Sequence, residues 1–256
     1  MSELPGNNYI VATIEARMTS TRLPGKVLKH CQGKSMLALM VERVRCARHI
    51  DDVVIATTVN MTDDVIVEEA NRLGVSFYRG SEDNVMSRVL EAAKFHGADI
   101  IVELTGDCPL MDPALIDEAV EAYVTGSVDY LSNFNYLSFD TSETYPIGCS
   151  VQVFKTSVLE DAFKRTDEPL DLEHVSRFIY QHQDLYNVKF IGAPESLCAP
   201  EVSITLDTPE DFQLIEAVFD NLYPSNPEFT LEDILLFLKE NPEIASLNRQ
   251  IGRIKV

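Results

Sequence analysis

This chain of 256 residues has no tryptophan, and none of its five cysteines (Cys31, Cys46, Cys108, Cys149, Cys198) forms a C-x-x-C pair. An odd number of widely scattered cysteines excludes a disulfide framework and reads as free thiols in a reducing cytoplasm. No apolar run is long enough to span a bilayer, and the opening MSELPGNN lacks the layout of a signal peptide, so a cytoplasmic protein without membrane insertion is expected. Cations are scarce: 21 Lys and Arg face 41 Asp and Glu, a formal net charge of −20. Such a surface repels nucleic acid and anionic lipid. Several motifs are also missing. There is no G-x-G-x-x-G, H-E-x-x-H or G-x-S-x-G, and Pro24-Gly25-Lys26 is no P-loop, because the upstream glycine is absent and Val27 stands where a Mg²⁺-binding Ser or Thr belongs.

The most telling absence is local. Between Glu15 and Glu42 there is no Asp or Glu, while Arg17, Arg22, Lys26, Lys29 and Lys34 all fall in that interval. A basic loop on an acidic chain draws a polyanion such as a nucleoside triphosphate, because nearby positive potential outweighs a distant net charge.

What is present is 45% hydrophobic, ample for a packed core, and its pattern alternates β-branched runs with helical periodicity. Strands are predicted over 9–14, 52–57, 75–78 and 99–104, and helices over 36–48, 63–73, 84–95 and 113–124. Ser81-Glu82-Asp83 signals the start of the third helix and Asp112-Pro113 that of the fourth. The βαβα order predicts a mostly parallel sheet with helices on both faces and a ligand site beyond the carboxyl ends of its strands. From Asn133 to Tyr145 the pattern is irregular, read as a loop or a small acceptor or dimerisation lobe at about 132–152. Further strands are expected at 150–154, 188–191 and 202–205, with helices at 157–165, 172–181, from Asp207 to about Asn221, and 230–240. Length fits a single domain over 1–256.

Three segments carry chemistry. In Ala16-Arg17-x-x-Ser20-x-Arg22-Leu23-Pro24-Gly25-Lys26, small residues admit backbone N–H groups to a nucleotide and the cations neutralise phosphate; a solvated basic loop explains the charge equally well. Asp107, in Leu104-Thr105-Gly106-Asp107-Cys108-Pro109, projects from a strand end, either to hold Mg²⁺ or to serve a turn. Asp207, in Leu206-Asp207-Thr208-Pro209-Glu210-Asp211, also ends a strand and reads alone as a plain helix cap. Together, two strand-terminal carboxylates beside a phosphate loop suggest a two-carboxylate Mg²⁺ site facing a triphosphate.

The segments IEARMTSTRLPGKVL, FYRGSEDNVMSRVLEAA, ELTGDCPLMDP, EHVSRFI and ITLDTPEDF, in order from about Tyr9 to Phe219, resemble the spore-coat-polysaccharide-F-like cytidylyltransferases, relatives of the CMP-Kdo and CMP-sialic acid synthetases. The resemblance implies a Rossmann-like nucleotidyltransferase fold of the glycosyltransferase-A type, a three-layer sandwich on a mixed, mostly parallel sheet. It also implies CTP as donor, a small acidic sugar acceptor of the 2-keto type, Mg²⁺ and a homodimer. Position by position, it places Ala16, Arg17, Ser20, Arg22 and Lys26 around the triphosphate, and Gly80 and Ser81 near the cytosine or ribose with Asp83 and Arg88 in support. Thr105 and Gly106 would line the nucleotide, and Asp107 and Asp207 would hold the metal. Arg17, Arg22, Lys26 and Asp107 would carry catalysis, with Gln152 and His174 on the acceptor side.

The chain departs from the family pattern in places. Glu15 stands where Gln is usual, Ser150 and Gln152 replace two carboxylates, and Leu172 lies where relatives carry an Arg before Glu-His. The nucleotide half is intact and the acceptor half altered. A nucleotide-sugar-dependent glycosyltransferase is the rival enzyme, disfavoured because Thr105-Gly106-Asp107 is not D-x-D. A non-catalytic nucleotide-binding subunit is the rival of a different class, motivated by Ser150 and Gln152.

Overall fold

The computed structural model describes residues 8–138 and 144–251. Part of the irregular stretch after Asn133 lies outside the described residues. Strand β1 (Ile10–Glu15) is the centre of the parallel half of a seven-stranded sheet, flanked by β4 (Asp52–Thr58) and β6 (Ile100–Thr105), with β5 (Ser76–Gly80) beyond β4. The other half is β8 (Gln152–Lys155), antiparallel to β6, then β7 (Tyr130–Ser132) and β9 (Val188–Phe190), giving the order β5-β4-β1-β6-β8-β7-β9. A two-residue hairpin, β2 (His30–Cys31) with β3 (Lys34–Ser35), follows the basic loop.

The chain walks outward from β1 to β4 and β5, then returns to lay β6 on the other side of β1. The crevice at that reversal opens at the carboxyl ends of β1 and β6, where ligands collect in open α/β sheets. One face of the sheet is covered by α1 (Met36–Val44), α2 (Asp64–Leu73), α4 (Pro113–Thr125), α8 (Pro209–Leu222) and α9 (Leu231–Glu240), packed on Ile10, Ala12, Ile14, Val102 and Leu104. The other is covered by α3 (Val85–Phe95), α5 (Thr156–Phe163) and α7 (Arg177–Gln181), packed on Val11, Val54, Ala56 and Ile101. The alternation of strand residues between these two cores is the period-two pattern of the sequence made physical. A short helix, α6 (Pro169–Glu173), precedes α7, and α10 (Pro242–Ala245) follows α9.

Four expectations need correction. The first helix stops at Val44 rather than Arg48: residues 45–47 tighten into a turn, with Cys46 N–H donating to Arg43 O and Ala47 N–H to Val44 O. Arg45 and Arg48 then reach to Leu73 O, Gly74 O and Asp117. The helix expected over 172–181 is two short helices, because Val175, buried and at φ 28°, breaks the run after His174. The stretch 202–205 is no strand; it makes a single isolated parallel bridge, Ile147 to Ser203, outside the sheet strands. The third helix is capped by Asn84, whose Oδ1 accepts from Ser87 N–H at 2.8 Å, while Ser81 Oγ accepts from Asn84 N–H one step earlier.

Candidate active site

At the end of β1, Ala16 is buried and its N–H donates to Ala56 O at 3.2 Å. The basic loop then folds back on itself. Met18 N–H donates to Asp63 Oδ1 at 2.8 Å, and Gly25 N–H donates to Met18 O at 2.9 Å. Gly25 has φ 68°, the left-handed region that glycine enters without steric cost, and Leu23 and Val27 are buried as anchors on either side. The loop is therefore a built structure rather than a solvated run of charge. It directs Lys26 inward.

Lys26 Nζ donates to Asp107 Oδ2 at 3.0 Å and to Asp207 Oδ1 at 2.8 Å, and Arg22 Nη2 lies 2.8 Å from Asp207 Oδ2. The two carboxylates thus share one cation position. Burial pushes the Asp107 carboxyl up, but the Lys26 ammonium and the Thr105 hydroxyl outweigh it and hold it below its ordinary value. Burial pulls Lys26 down, yet the two carboxylates leave it raised. Backbone geometry holds the pair together: Leu206 N–H donates to Asp107 O at 2.7 Å. Asp207 is not the cap of α8. That role belongs to Thr208, which forms a capping box with Asp211, so the Asp207 side chain is left for the site. Gly106 is required by packing, since a Cβ there would lie 2.4 Å from Glu15 O, across the β1–β6 crevice.

Arg17 does not join this cluster. Its Nη1 lies 3.3 Å from Glu82 Oε1, at the end of β5, where Glu82 also accepts from Thr19 Oγ1 and from Asn60 Nδ2. Gly80 lies under the stem of Arg88, 3.0 Å from where its Cβ would be, and Arg88 Nη1 donates to Ser81 O at 2.5 Å. Asp83 and Thr105 are exposed at the rim and Ser20 is half-buried. The loop and strand ends therefore bring Arg22, Lys26, Asp107 and Asp207 into one cluster, with Arg17, Gly80 and Ser81 forming a second group beside it.

Of the two residues expected to face the acceptor, Gln152 is buried and its Oε1 accepts from Tyr130 OH and Ser176 Oγ, both at 2.5 Å. His174 sits half-buried where α6 ends, and burial lowers its pKa. Sequence reasoning missed Glu82, Asn60 and Asp63, which fasten the basic loop, and also Glu103, whose alternation in DIIVEL puts it on the same face as Ile101. Oxygen donors converging on one cation position fit a hard divalent ion. Among the described residues no group of three or more His, Cys, Asp or Glu could hold a metal. The protein would thus supply two ligands and leave the rest to phosphate and water.

A mixed Rossmann-like sheet with a basic loop and two carboxylates paired at its reversal point defines a nucleotidyltransferase. The chain belongs to the cytidylyltransferase family: the family model matches residues 11–234. It is 32% identical over 243 residues to the spore coat polysaccharide biosynthesis protein SpsF of Bacillus subtilis, covering 93% of this chain and 98% of that one. It is 29% identical over 233 residues to a 3-deoxy-manno-octulosonate cytidylyltransferase of Solibacter usitatus, covering 86% and 90%. A solved cytidylyltransferase from Leptospira borgpetersenii superposes with a TM-score of 0.85 at 31% identity, over 97% of this chain and 99% of that one.

Proposed function

We propose that this enzyme transfers a cytidylyl group from CTP to a hydroxyl of a small acceptor of the 2-keto sugar acid class, releasing pyrophosphate, as an activation step in glycan precursor synthesis. The observation that carries the reading is the convergence of Arg22 and Lys26 on Asp107 and Asp207 at the mouth between β1 and β6, in a chain of the cytidylyltransferase family.

In the complex, Lys26 and Arg22 would exchange carboxylate oxygens for phosphate oxygens and stabilise charge on the α-phosphoryl group and the departing pyrophosphate. Asp107 and Asp207, freed of the ammonium, would hold Mg²⁺. Bound there, that ion would neutralise phosphate charge and acidify the acceptor hydroxyl. Arg17, released from Glu82, would reach the outer phosphates, while Gly80, Ser81, Thr105 and Gly106 would line the nucleoside. The acceptor oxygen forms its bond to the α-phosphorus in line, the bond to the β-bridging oxygen breaks, and that oxygen leaves with the electron pair; the hydroxyl proton goes to solvent.

The test is pyrophosphate release with Mg²⁺, crossing CTP, UTP, ATP and GTP with a panel of 2-keto sugar acids. CTP-selective release that is lost in Asp107→Ala, with the circular dichroism spectrum retained, is the expected result. Sugar transfer from a nucleotide sugar without pyrophosphate would favour the glycosyltransferase reading instead, and saturable CTP binding without turnover a binding subunit.

A further inference from the structure

Asp207 sits on a segment that no strand ladder holds. Ser203 makes one isolated bridge, and the chain then runs without regular structure to the start of α8. Where a strand would fix a side chain by register, this segment depends on individual hydrogen bonds. Two come from its own backbone: Ile204 N–H donates to Ile147 O at 2.8 Å and Leu206 N–H to Asp107 O at 2.7 Å. Its two ends are held differently. Asp211 Oδ2 accepts from the N–H of Asp207 at 3.1 Å and from that of Thr208 at 2.9 Å. At the other end, Ser203 O accepts from Asn248 Nδ2 at 2.9 Å, and the same amide nitrogen donates to Asp211 Oδ1 at 2.7 Å.

One side chain therefore ties both ends of the segment that presents Asp207. Asn248 follows α10, which packs on α8 and α9, and it lies beyond the residues 11–234 that the family model matches. Asn248 is 5% exposed and Asp211 0%, so water does not compete for these bonds. An amide NH₂ has two protons, and here each has its own acceptor, which fixes the orientation of the side chain. Both acceptors belong to the frame of Asp207 rather than to the turn that carries Asn248. Without that amide, the Asp211 carboxylate loses its bond to the C-terminal turn, and the backbone of Asp207 loses the rigidity of its anchor. Groups that hold a metal ligand from behind tune metal affinity by about tenfold to a hundredfold.

We propose that Asn248 is a positioning residue for the Asp107–Asp207 pair: through Asp211 and Ser203 O it fixes the segment that carries Asp207, and so sets how well the pair takes a divalent cation beside CTP. This rests on the reading of Asp107 and Asp207 as the metal-holding carboxylates.

The experiment is calorimetric binding of CTP to the full chain, once with Mg²⁺ and once with EDTA. The ratio of the two affinities is the Mg²⁺ enhancement, and it needs no acceptor and no turnover. In Asn248→Ala the enhancement should fall by about fivefold or more, while CTP affinity in EDTA, carried by the cations of the basic loop, stays within about twofold of wild type. Asn241→Ala is the control. It removes a bond of the same kind, from Asn241 Nδ2 to Phe237 O at 2.8 Å, but one that stays within the end of α9. That variant should lower the thermal midpoint and leave the enhancement unchanged. If Asn248→Ala behaves in the same way, its role is structural only and the proposal is overturned. Should Asn248→Ala fail to fold, Asn248→Ser, which keeps one donor, decides: a smaller enhancement supports the proposal and an unchanged one overturns it. Asp207→Ala tests the underlying reading. If wild type shows no enhancement, or Asp207→Ala retains it, the metal reading fails and the proposal with it. If Asp207→Ala abolishes the enhancement and the Asn248 variants keep it, the proposal alone fails.

Discussion

Leu206 donates its backbone N–H to the carbonyl oxygen of Asp107 at 2.7 Å, joining two segments about a hundred positions apart. Thr205 Oγ1 reaches the same carbonyl at 3.4 Å. The distance between the Asp107 and Asp207 carboxylates is therefore set by main chain, while their charge is held by Lys26. Carboxylates positioned in this way would need no rearrangement to take a metal ion if phosphate drew Lys26 away.

Replacing Lys26 by Met should leave those carboxylates facing each other without their ammonium. Breaking a largely buried charge pair costs about 1–3 kcal/mol here, given that Asp107 keeps some solvent contact. Because Asp107 has its folded pKa lowered, its contribution is present above the unfolded carboxylate value and lost as pH falls through the folded one. Lys26 is raised, so its share is present below the unfolded lysine value and lost as pH rises through the folded one. Denaturant midpoints from pH 3 to 10 should converge for wild type and variant at the acid end. Added Mg²⁺ should restore stability to Lys26→Met more than to wild type.

Glu15 gives the opposite sign. Burial raises its carboxyl to about 8, so between the ordinary carboxylate value and that point the folded state holds a proton that the unfolded state has lost. Wild-type stability should fall across that interval. Glu15→Gln removes the titration, and its advantage in denaturant midpoint should grow from pH 5 to pH 8 and then level off. A gap that is constant with pH would refute the assignment.

Gly106→Ala places a methyl 2.4 Å from the Glu15 carbonyl oxygen, against backbone rather than a movable side chain. The β1–β6 crevice must widen, at a cost of about 1–3 kcal/mol. Thermal unfolding should report that loss, and kcat should fall with it because Asp107 is the next residue.

Arg17→Ala removes an exposed partner of Glu82 and should leave stability unchanged. Loss of one charge-assisted contact to phosphate predicts a rise of about tenfold in the nucleotide KM. Initial-rate kinetics would show it, and an unchanged KM would remove Arg17 from the phosphate site.

Arg43 is buried and donates to the carbonyls of Met111, Pro227 and Phe229, with its guanidinium 4.1 Å from the Phe229 ring centroid. Arg43→Leu orphans these carbonyls and should destabilise the protein by about 2–4 kcal/mol. Arg43→Lys should recover little, because one ammonium cannot span three carbonyls as a planar fork does. Chemical denaturation of the three proteins checks both statements.

Local physics alone determined a good deal of this protein. Period-two runs of β-branched residues specified the parallel strands, Asp112-Pro113 and the run from Asp207 through Asp211 specified where α4 and, to within two residues, α8 begin, and the acid-free interval from Arg17 to Lys34 marked the basic loop. Those signals act over a few residues, so they survive in the sequence. Only the tertiary structure decided the rest. It separated Arg17 from Lys26, which look equivalent along the loop, by tying one to Glu82 and turning the other onto Asp107 and Asp207. It freed Asp207 from capping, broke the 172–181 helix at Val175, and left 202–205 a single bridge because that stretch spends its hydrogen bonds on Ile147 and Asp107. It also put Thr13, Glu15 and Glu103 on one face of the sheet, a consequence of strand register. Register is set by contacts between segments far apart in the chain, which no local pattern encodes.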